Sequence, residues 1–350
     1  MSTTSLPSSF KALQWPAVNA NEMVMKEVES KAPRQGEVAI KVHAAGLNST
    51  DAISQFNLIG TVHYPTTPGS NVVGQVVEVG PGCKHLKKGQ HVAAVLSHKG
   101  LAEYVIADEH FVCVLSDKQK SMNETLIAAF NGARIEGSIR RFEREMEQGD
   151  AHRCEQINRR MGYEGKGCCV VYGEGGCARV ALDILRNYHY SHSMLKEAKV
   201  VLVATSDRWQ AQDYGLQPQD MLCVSKHDIN KELRARGGAN FVLAVDQPQQ
   251  GLEQLLDGMR YRSELVVLNP FRDQLVSLPL GNIIAKDLSI RAPCWADTKA
   301  MERAVDLFDK KKIEVAINKY PFDQAQVNAA WKAMESRQMF DAPIVMMHSN

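Results

Sequence analysis

Cys168-Cys169-Val170-Val171-Tyr172-Gly173-Glu174-Gly175-Gly176-Cys177-Ala178-Arg179-Val180-Ala181-Leu182-Asp183-Ile184-Leu185 decides how the chain is read. A short apolar run of β type meets a glycine-rich turn, and apolar residues then recur at helical spacing at Val180, Ile184 and Leu185. This is the strand–turn–helix opening of a dinucleotide-binding βαβ unit. Gly173 suits the tight bend, Gly175 lets a backbone approach a pyrophosphate, Gly176 continues the turn, and Ala178 is small enough for close helix–strand packing. A second apolar run, Ala198–Thr205, follows at the distance a βαβ unit needs. The plain alternative is a glycine turn in an ordinary buried βαβ unit. Glu174 argues on that side, since it places a carboxylate where a phosphate would lie.

Working outward, the composition describes an ordinary globular protein. The 350 residues exceed one core and suit two domains. A net charge of +1 argues against nucleic acid or an anionic membrane as the main partner. No run approaches a membrane span, and Met1–Phe10 has neither the apolar core of a secretory signal nor the arginines of a transit peptide. The expectation is a cytoplasmic protein acting on a small molecule. The 8 cysteines are scattered, none at C-x-x-C spacing, which points to reduced thiols rather than a zinc knuckle or disulfide framework.

N-terminal to the opening stretch, short alternating strands with dense Gly/Pro turns run from Phe10 to Leu115, as in an all-β, barrel-like unit. Four segments stand out. They are Pro33-x-x-Gly36-Glu37-Val38, Ala45-Gly46-Leu47-Asn48-x-x-Asp51, Pro68-Gly69 leading through Gly74-x-Val76-x-x-Val79-Gly80, and Leu86-Lys87-x-Gly89-Gln90-x-Val92. With Gly173-x-Gly175-Gly176 behind them, they resemble the medium-chain dehydrogenase/reductase superfamily. The resemblance implies an α/β protein: a GroES-like β-barrel catalytic domain (1–127, completed by 293–350) plus a Rossmann doubly wound parallel-sheet domain (128–292).

The departures from the family pattern carry as much chemistry as the matches. Zinc-dependent members place a Cys where this chain has Asn48, and a His-Glu pair where it has Ser70-Asn71. Amides and hydroxyls are poor zinc ligands, and the four-cysteine structural lobe is also missing from Val95–Tyr104, so no zinc is expected. Asn48 with Asp51 resembles the zinc-free quinone and enoyl reductase branch. That branch implies an NADPH-dependent reductase of an activated double bond or carbonyl, with secondary metabolism as the expected setting. Asn48, Thr50 and Tyr64 are the candidate catalytic groups: an amide donor, a relay hydroxyl and a phenolic acid. Each also reads as a satisfied turn residue or half-buried aromatic.

Thr205 at the end of the second strand, where NAD-specific sites carry an acid, and Arg208 just beyond it favour NADP, although Asp207 lies close. Later positions weaken the cofactor case: Pro248, Asn269-Pro270 and Pro343 stand where relatives keep glycine or a cofactor-reaching residue. A second reading therefore stays open, a lyase, cyclase or binding protein that kept the cleft without the nicotinamide. An Arg-rich insert over 134–166 is either a lid or basic patch, or an exposed charged helix pair with i,i+4 support. Leu288–Ala292 resembles the last sheet strand, the edge at which a homodimer would form.

Overall fold

A computed structural model describes residues 5–58, 60–116, 121–149, 151–188, 196–245, 251–269, 277–293, 296–310, 312–336 and 339–347. Strands are numbered in chain order. The first group is β1 (Ser9–Gln14), β2 (Val24–Glu29), β3 (Glu37–Gly46), β4 (Asn71–Val79), β5 (His91–Val95), β6 (Tyr104–Asp108) and β7 (Val112–Val114). The second is β8 (Cys168–Tyr172), β9 (Lys199–Ala204), β10 (Met221–Cys223), β11 (Ala239–Ala244), β12 (Met259–Val267) and β13 (Ser289–Arg291). Two strands close the chain, β14 (Ile317–Pro321) and β15 (Ala342–Met346).

Among the described residues these strands form three sheets: the β1–β2 hairpin, a parallel sheet in the order β10-β9-β8-β11-β12-β13, and a mixed sheet in the order β14-β15-β3-β4-β5-β7 with β6 also on β3. Strand order in the parallel sheet reverses between β8 and β11, and open α/β sheets bind ligands outside the carboxyl ends of the strands at such a point. The glycine turn follows β8 directly, so sequence order alone delivers it to the switch point. β8 and β11 are buried along their whole length, which is why they read as continuous apolar runs rather than alternating ones.

The C-terminus returns to the first domain. β15 pairs antiparallel with β3 through Ile344↔Gly46 and Val345↔Ala45. Helix Gln324–Glu335 brings Trp331 edge-on to Trp15, ring centroids 5.6 Å apart and both side chains buried. Such a pair is worth about 0.5–1.5 kcal/mol beyond its area, tying the chain's two ends into one core.

The Arg-rich insert forms helices Ala133–Glu147 and Ala151–Arg160. Ile139 and Phe142 are buried, and Phe142 stacks on Phe241 of β11 at 4.9 Å. Burying such side chains contributes roughly 1.5–3 kcal/mol each, which a lid would forfeit on every opening. Several arginines pair along the helices, Arg140 with Glu136 at 3.2 Å and Arg141 with Glu145 at 2.9 Å, and Arg303 reaches Glu136 at 2.8 Å. The charges thus fasten helices to one another and to the sheet.

Among the described residues, β10, β14 and helix Leu280–Lys286 are elements without a counterpart in the sequence reading. β10 is three residues long, β14 lies half-exposed at a sheet edge, and the helix turns Leu280 and Ile284 to solvent, so none shows a buried apolar period. Among the described residues no helix is long and apolar enough to cross a membrane.

Candidate active site

A cleft opens where the glycine turn faces the end of β3 and the start of β15. Its walls include Asn48, Asn131, Glu174, Cys177, Asn269 and Phe340. The cavity measures about 120 Å3, small beside the roughly 300–1,000 Å3 typical of ligand pockets.

Behind Asn48 lies a closed hydrogen-bond network at the positions where the family resemblance puts metal ligands; Asn48 lines the cleft, while Thr50, Ser70 and Asn71 are not among its lining residues. Asn48 Nδ2 donates to Asn71 Oδ1 at 2.6 Å and more loosely to Ser70 Oγ at 3.4 Å. The Thr50 and Ser70 hydroxyls are 3.0 Å apart, and Asn71 Nδ2 donates to the Leu126 carbonyl at 3.2 Å. Gly46 makes room for this network, since a Cβ there would lie 2.5 Å from Asn71 Oδ1. The amides and hydroxyls satisfy one another, and among the described residues no group of three His, Cys, Asp or Glu side chains could hold a metal ion.

Beneath the network Asp51 accepts hydrogen bonds from the backbone N–H of Asn48 at 2.9 Å and of Gly69 at 3.0 Å. Burial nevertheless dominates, outweighing these bonds and that of Ser70, and pushes the carboxyl up to about 7. Asp51 therefore holds a proton near neutrality, one hydrogen bond from the Ser70–Thr50 pair. Tyr64 is placed differently. Its hydroxyl donates to the Ser54 carbonyl at 2.8 Å, and it is not among the residues that line the cleft.

The glycine turn has the backbone its sequence requires. Gly173 and Gly175 hold φ of 122° and 77°, a region costly for other residues, and Ala178 is fully buried under the first turn of helix Gly175–Asn187. The donors of that turn, however, are engaged by the chain itself. Gly176 N–H donates to the Phe340 carbonyl at 2.5 Å, and Gly175 N–H donates to Tyr214 Oη at 3.0 Å. The Phe340 ring sits between Trp209 and Tyr214, with centroids 4.9 and 5.3 Å away. Glu174 folds onto the end of β9, accepting from Thr205 Oγ1 at 2.9 Å, from Ser206 Oγ at 3.0 Å and from Ser206 N–H. A carboxylate, absent in sequence order from the end of β9, is thus supplied by the turn. Arg208 is exposed two residues beyond Ser206.

As closed here, the turn does not fit a pyrophosphate. Two of its N–H groups are taken, a carbonyl oxygen and a carboxylate stand where anionic oxygens would go, and the cavity is too small for a dinucleotide. Pro248 and Pro270 lie outside the described residues. Asn269 does reach the cleft wall, donating to the Val245 carbonyl at 2.6 Å, and Pro343 lines it as well.

The sequence reading missed Asn131, Cys177, Trp209, Tyr214 and Phe340. Asn131 sits on a π-helical turn, Ala128–Gly132, a wide turn often found at functional sites and invisible to a 3.6-residue period. The aromatic trio meets only through the fold, and the one available sign was an aromatic next to Arg208 (Trp209) and another near Pro343 (Phe340).

Comparison with known proteins agrees with this architecture. Residues 34–133 match the alcohol dehydrogenase GroES-like domain. Over 98% of its length the chain is 23% identical to alcohol dehydrogenase notN of an Aspergillus species, covering 99% of that protein. Over 89 residues, 24% of this chain and 27% of its relative, it is 40% identical to the chloroplast envelope quinone oxidoreductase homolog of Arabidopsis thaliana. The crystal structure of a quinone oxidoreductase from Pseudomonas syringae pv. tomato DC3000 superposes with a TM-score of 0.72 at 20% identity, over 97% of this chain and 100% of that one. Residues 34–133 carry the GroES-like domain, and fold, motifs and relatives together support the medium-chain dehydrogenase/reductase superfamily.

Proposed function

We propose that this protein is a zinc-independent oxidoreductase that reduces an activated double bond or carbonyl in a small molecule, with NADPH as hydride source. The relatives named alcohol dehydrogenase and quinone oxidoreductase support the oxidoreductase class. The observation that carries the finer reading is the polar network behind the cleft wall: Asn48, Ser70 and Asn71 bonded to one another, with Asp51, its carboxyl pushed up to about 7 by burial, beneath them. The chain's own groups then do three things. Leu47 and Met334 give the wall its apolar share, while Asn48 and Asn131 supply amide groups to orient a carbonyl. Asp51, its carboxyl pushed up to about 7, would share its proton with the Ser70–Thr50 hydroxyl pair behind Asn48 as charge develops on the substrate. The hydride would come from NADPH held at the glycine turn once that turn is open.

Two charges bear on cofactor choice. Arg208 suits a 2′-phosphate, and the Glu174 carboxylate opposes one. Melting curves of the purified protein test the reading. A chelator should leave the Tm unchanged, NADPH should raise it more than NADH does, and Arg208→Ala should erase the difference. A chelator-induced drop would disprove zinc independence, and equal shifts from the two nucleotides would disprove the NADP preference. The closed cradle also favours a second reading, a non-redox enzyme or binding protein on this scaffold. No shift from either nucleotide, in the wild type or in Phe340→Ala, would leave that reading standing.

We also propose a homodimer through β13. Among the described residues this strand pairs only with β12, and Ile290, Leu280 and Ile284 are 36%, 65% and 77% exposed beside it. Ile284→Glu should shift the protein from dimer to monomer in sedimentation. A wild type that is already monomeric at tens of micromolar would rule the interface out.

A further inference from the structure

We propose that Met339–Asp341 is a strap that holds the glycine turn shut, so that phosphate-bearing ligands bind only once Phe340 has left its seat. This rests on reading the turn as a dinucleotide site.

A helix N-terminus offers an anion unpaired N–H groups and the positive end of a dipole. In helix Gly175–Asn187 these are met from within. The Phe340 carbonyl takes the Gly176 N–H, and the Tyr214 hydroxyl takes the Gly175 N–H. The Phe340 oxygen sits so close that a Cβ on Gly176 would lie 2.9 Å from it, and one on Gly175 3.3 Å. The absence of side chains that would admit a pyrophosphate therefore admits the strap instead. Both ligands compete for one cradle.

Side chains hold the strap down. Phe340 packs between Trp209, which follows β9, and Tyr214, on the 3-10 turn Ala211–Tyr214. Beyond Asp341 the chain enters β15, whose pairing with β3 fixes one end of the strap in the first domain. The latch therefore links both sides of the cleft. Glu174 adds a negative charge on the neighbouring strand end, so an arriving phosphate meets two acceptors until the strap departs. A ligand that needs a scarce open form has its apparent affinity reduced by the fraction open.

The experiment titrates NADPH and inorganic pyrophosphate into the full-length wild type, Phe340→Ala and Tyr214→Phe, following Trp fluorescence and hydrogen exchange at the Gly176 amide. Phe340→Ala removes the ring from its seat. Tyr214→Phe keeps the ring contacts but deprives Gly175 N–H of its acceptor, and it carries the test should Phe340→Ala fail to fold. The expected result is weak NADPH binding by the wild type and at least tenfold tighter binding by Phe340→Ala. Tyr214→Phe should fall between, and Gly176 exchange should be faster in Phe340→Ala. Equal, tight NADPH binding by all three proteins overturns the strap and leaves the dinucleotide site standing. Fast Gly176 exchange in Phe340→Ala with no binding of NADPH or pyrophosphate overturns the strap as a gate, and the dinucleotide reading falls with it.

Discussion

Gly69→Ala is expected to destabilise the protein by roughly 4 kcal/mol, a large share of the about 5–15 kcal/mol that stabilises an ordinary domain. Gly69 holds φ at 102°, which costs a residue with a Cβ about 1–3 kcal/mol. There is also no space. A Cβ would lie 2.5 Å from the Leu101 backbone nitrogen and 2.7 Å from Gly100 Cα, and neither is the loose end of a side chain. Pushing the two loops apart adds an overpacking cost of about 1–3 kcal/mol. The loops are also hydrogen-bonded, with Gly100 N–H donating to the Gly69 carbonyl and Leu101 N–H to that of Pro68, both at 2.9 Å. Gly69 N–H in turn donates to Asp51, so the strain reaches the polar network behind Asn48 directly. Gly89→Ala is the control. It has a similar φ of 92° but nothing within 4 Å of its Cβ, so it should show the conformational cost alone. Urea unfolding of the two variants measures the difference. A Gly69→Ala protein as stable as Gly89→Ala would show that the loop contact yields cheaply.

What could be read from the chain follows how local the determining interactions are. The β8 turn was legible because glycine spacing, a preceding apolar run and a following helical period all lie within eighteen consecutive residues, Cys168–Leu185. The loss of zinc ligands at Asn48, Ser70 and Asn71 was likewise a matter of residue type at fixed offsets. Their mutual hydrogen bonds were not legible, since β3 and β4 must first pair to bring Asn48 to Asn71. The strap lies further out of reach. Nothing near Gly176 in sequence says that a carbonyl from Phe340 will meet its N–H, because β15 must return to β3 before the two approach. Glu174 shows the same limit from another side. Its carboxylate was visible as an intruder in a phosphate site, but its seat on Thr205 and Ser206 depends on β8 and β9 lying side by side.

Asp51 should make the protein more stable as the solution is acidified from neutrality, against the usual trend for carboxylates. In the unfolded chain its carboxyl titrates at about 3.8; in the folded protein burial raises it to about 7. Between these values the folded state binds the proton and the unfolded state does not, so stability falls as pH rises. The contribution is complete below about 3.8, declines through the interval and is gone above about 7. A difference of about three pKa units corresponds to roughly 4 kcal/mol across the whole window. Asp51→Asn keeps the shape and cannot titrate. Its amide offers one acceptor where two backbone N–H groups, those of Asn48 and Gly69, now donate, so it carries a fixed cost of about 1–3 kcal/mol at every pH. The decisive quantity is the stability difference between wild type and variant in urea at pH 5, 6, 7 and 8. Other titrating groups cancel from that difference. It should shrink by roughly 2–3 kcal/mol from pH 5 to 7 and then level off. A difference that stays flat would mean Asp51 is ionised throughout. The proton that the cleft chemistry draws on would then have to come from elsewhere.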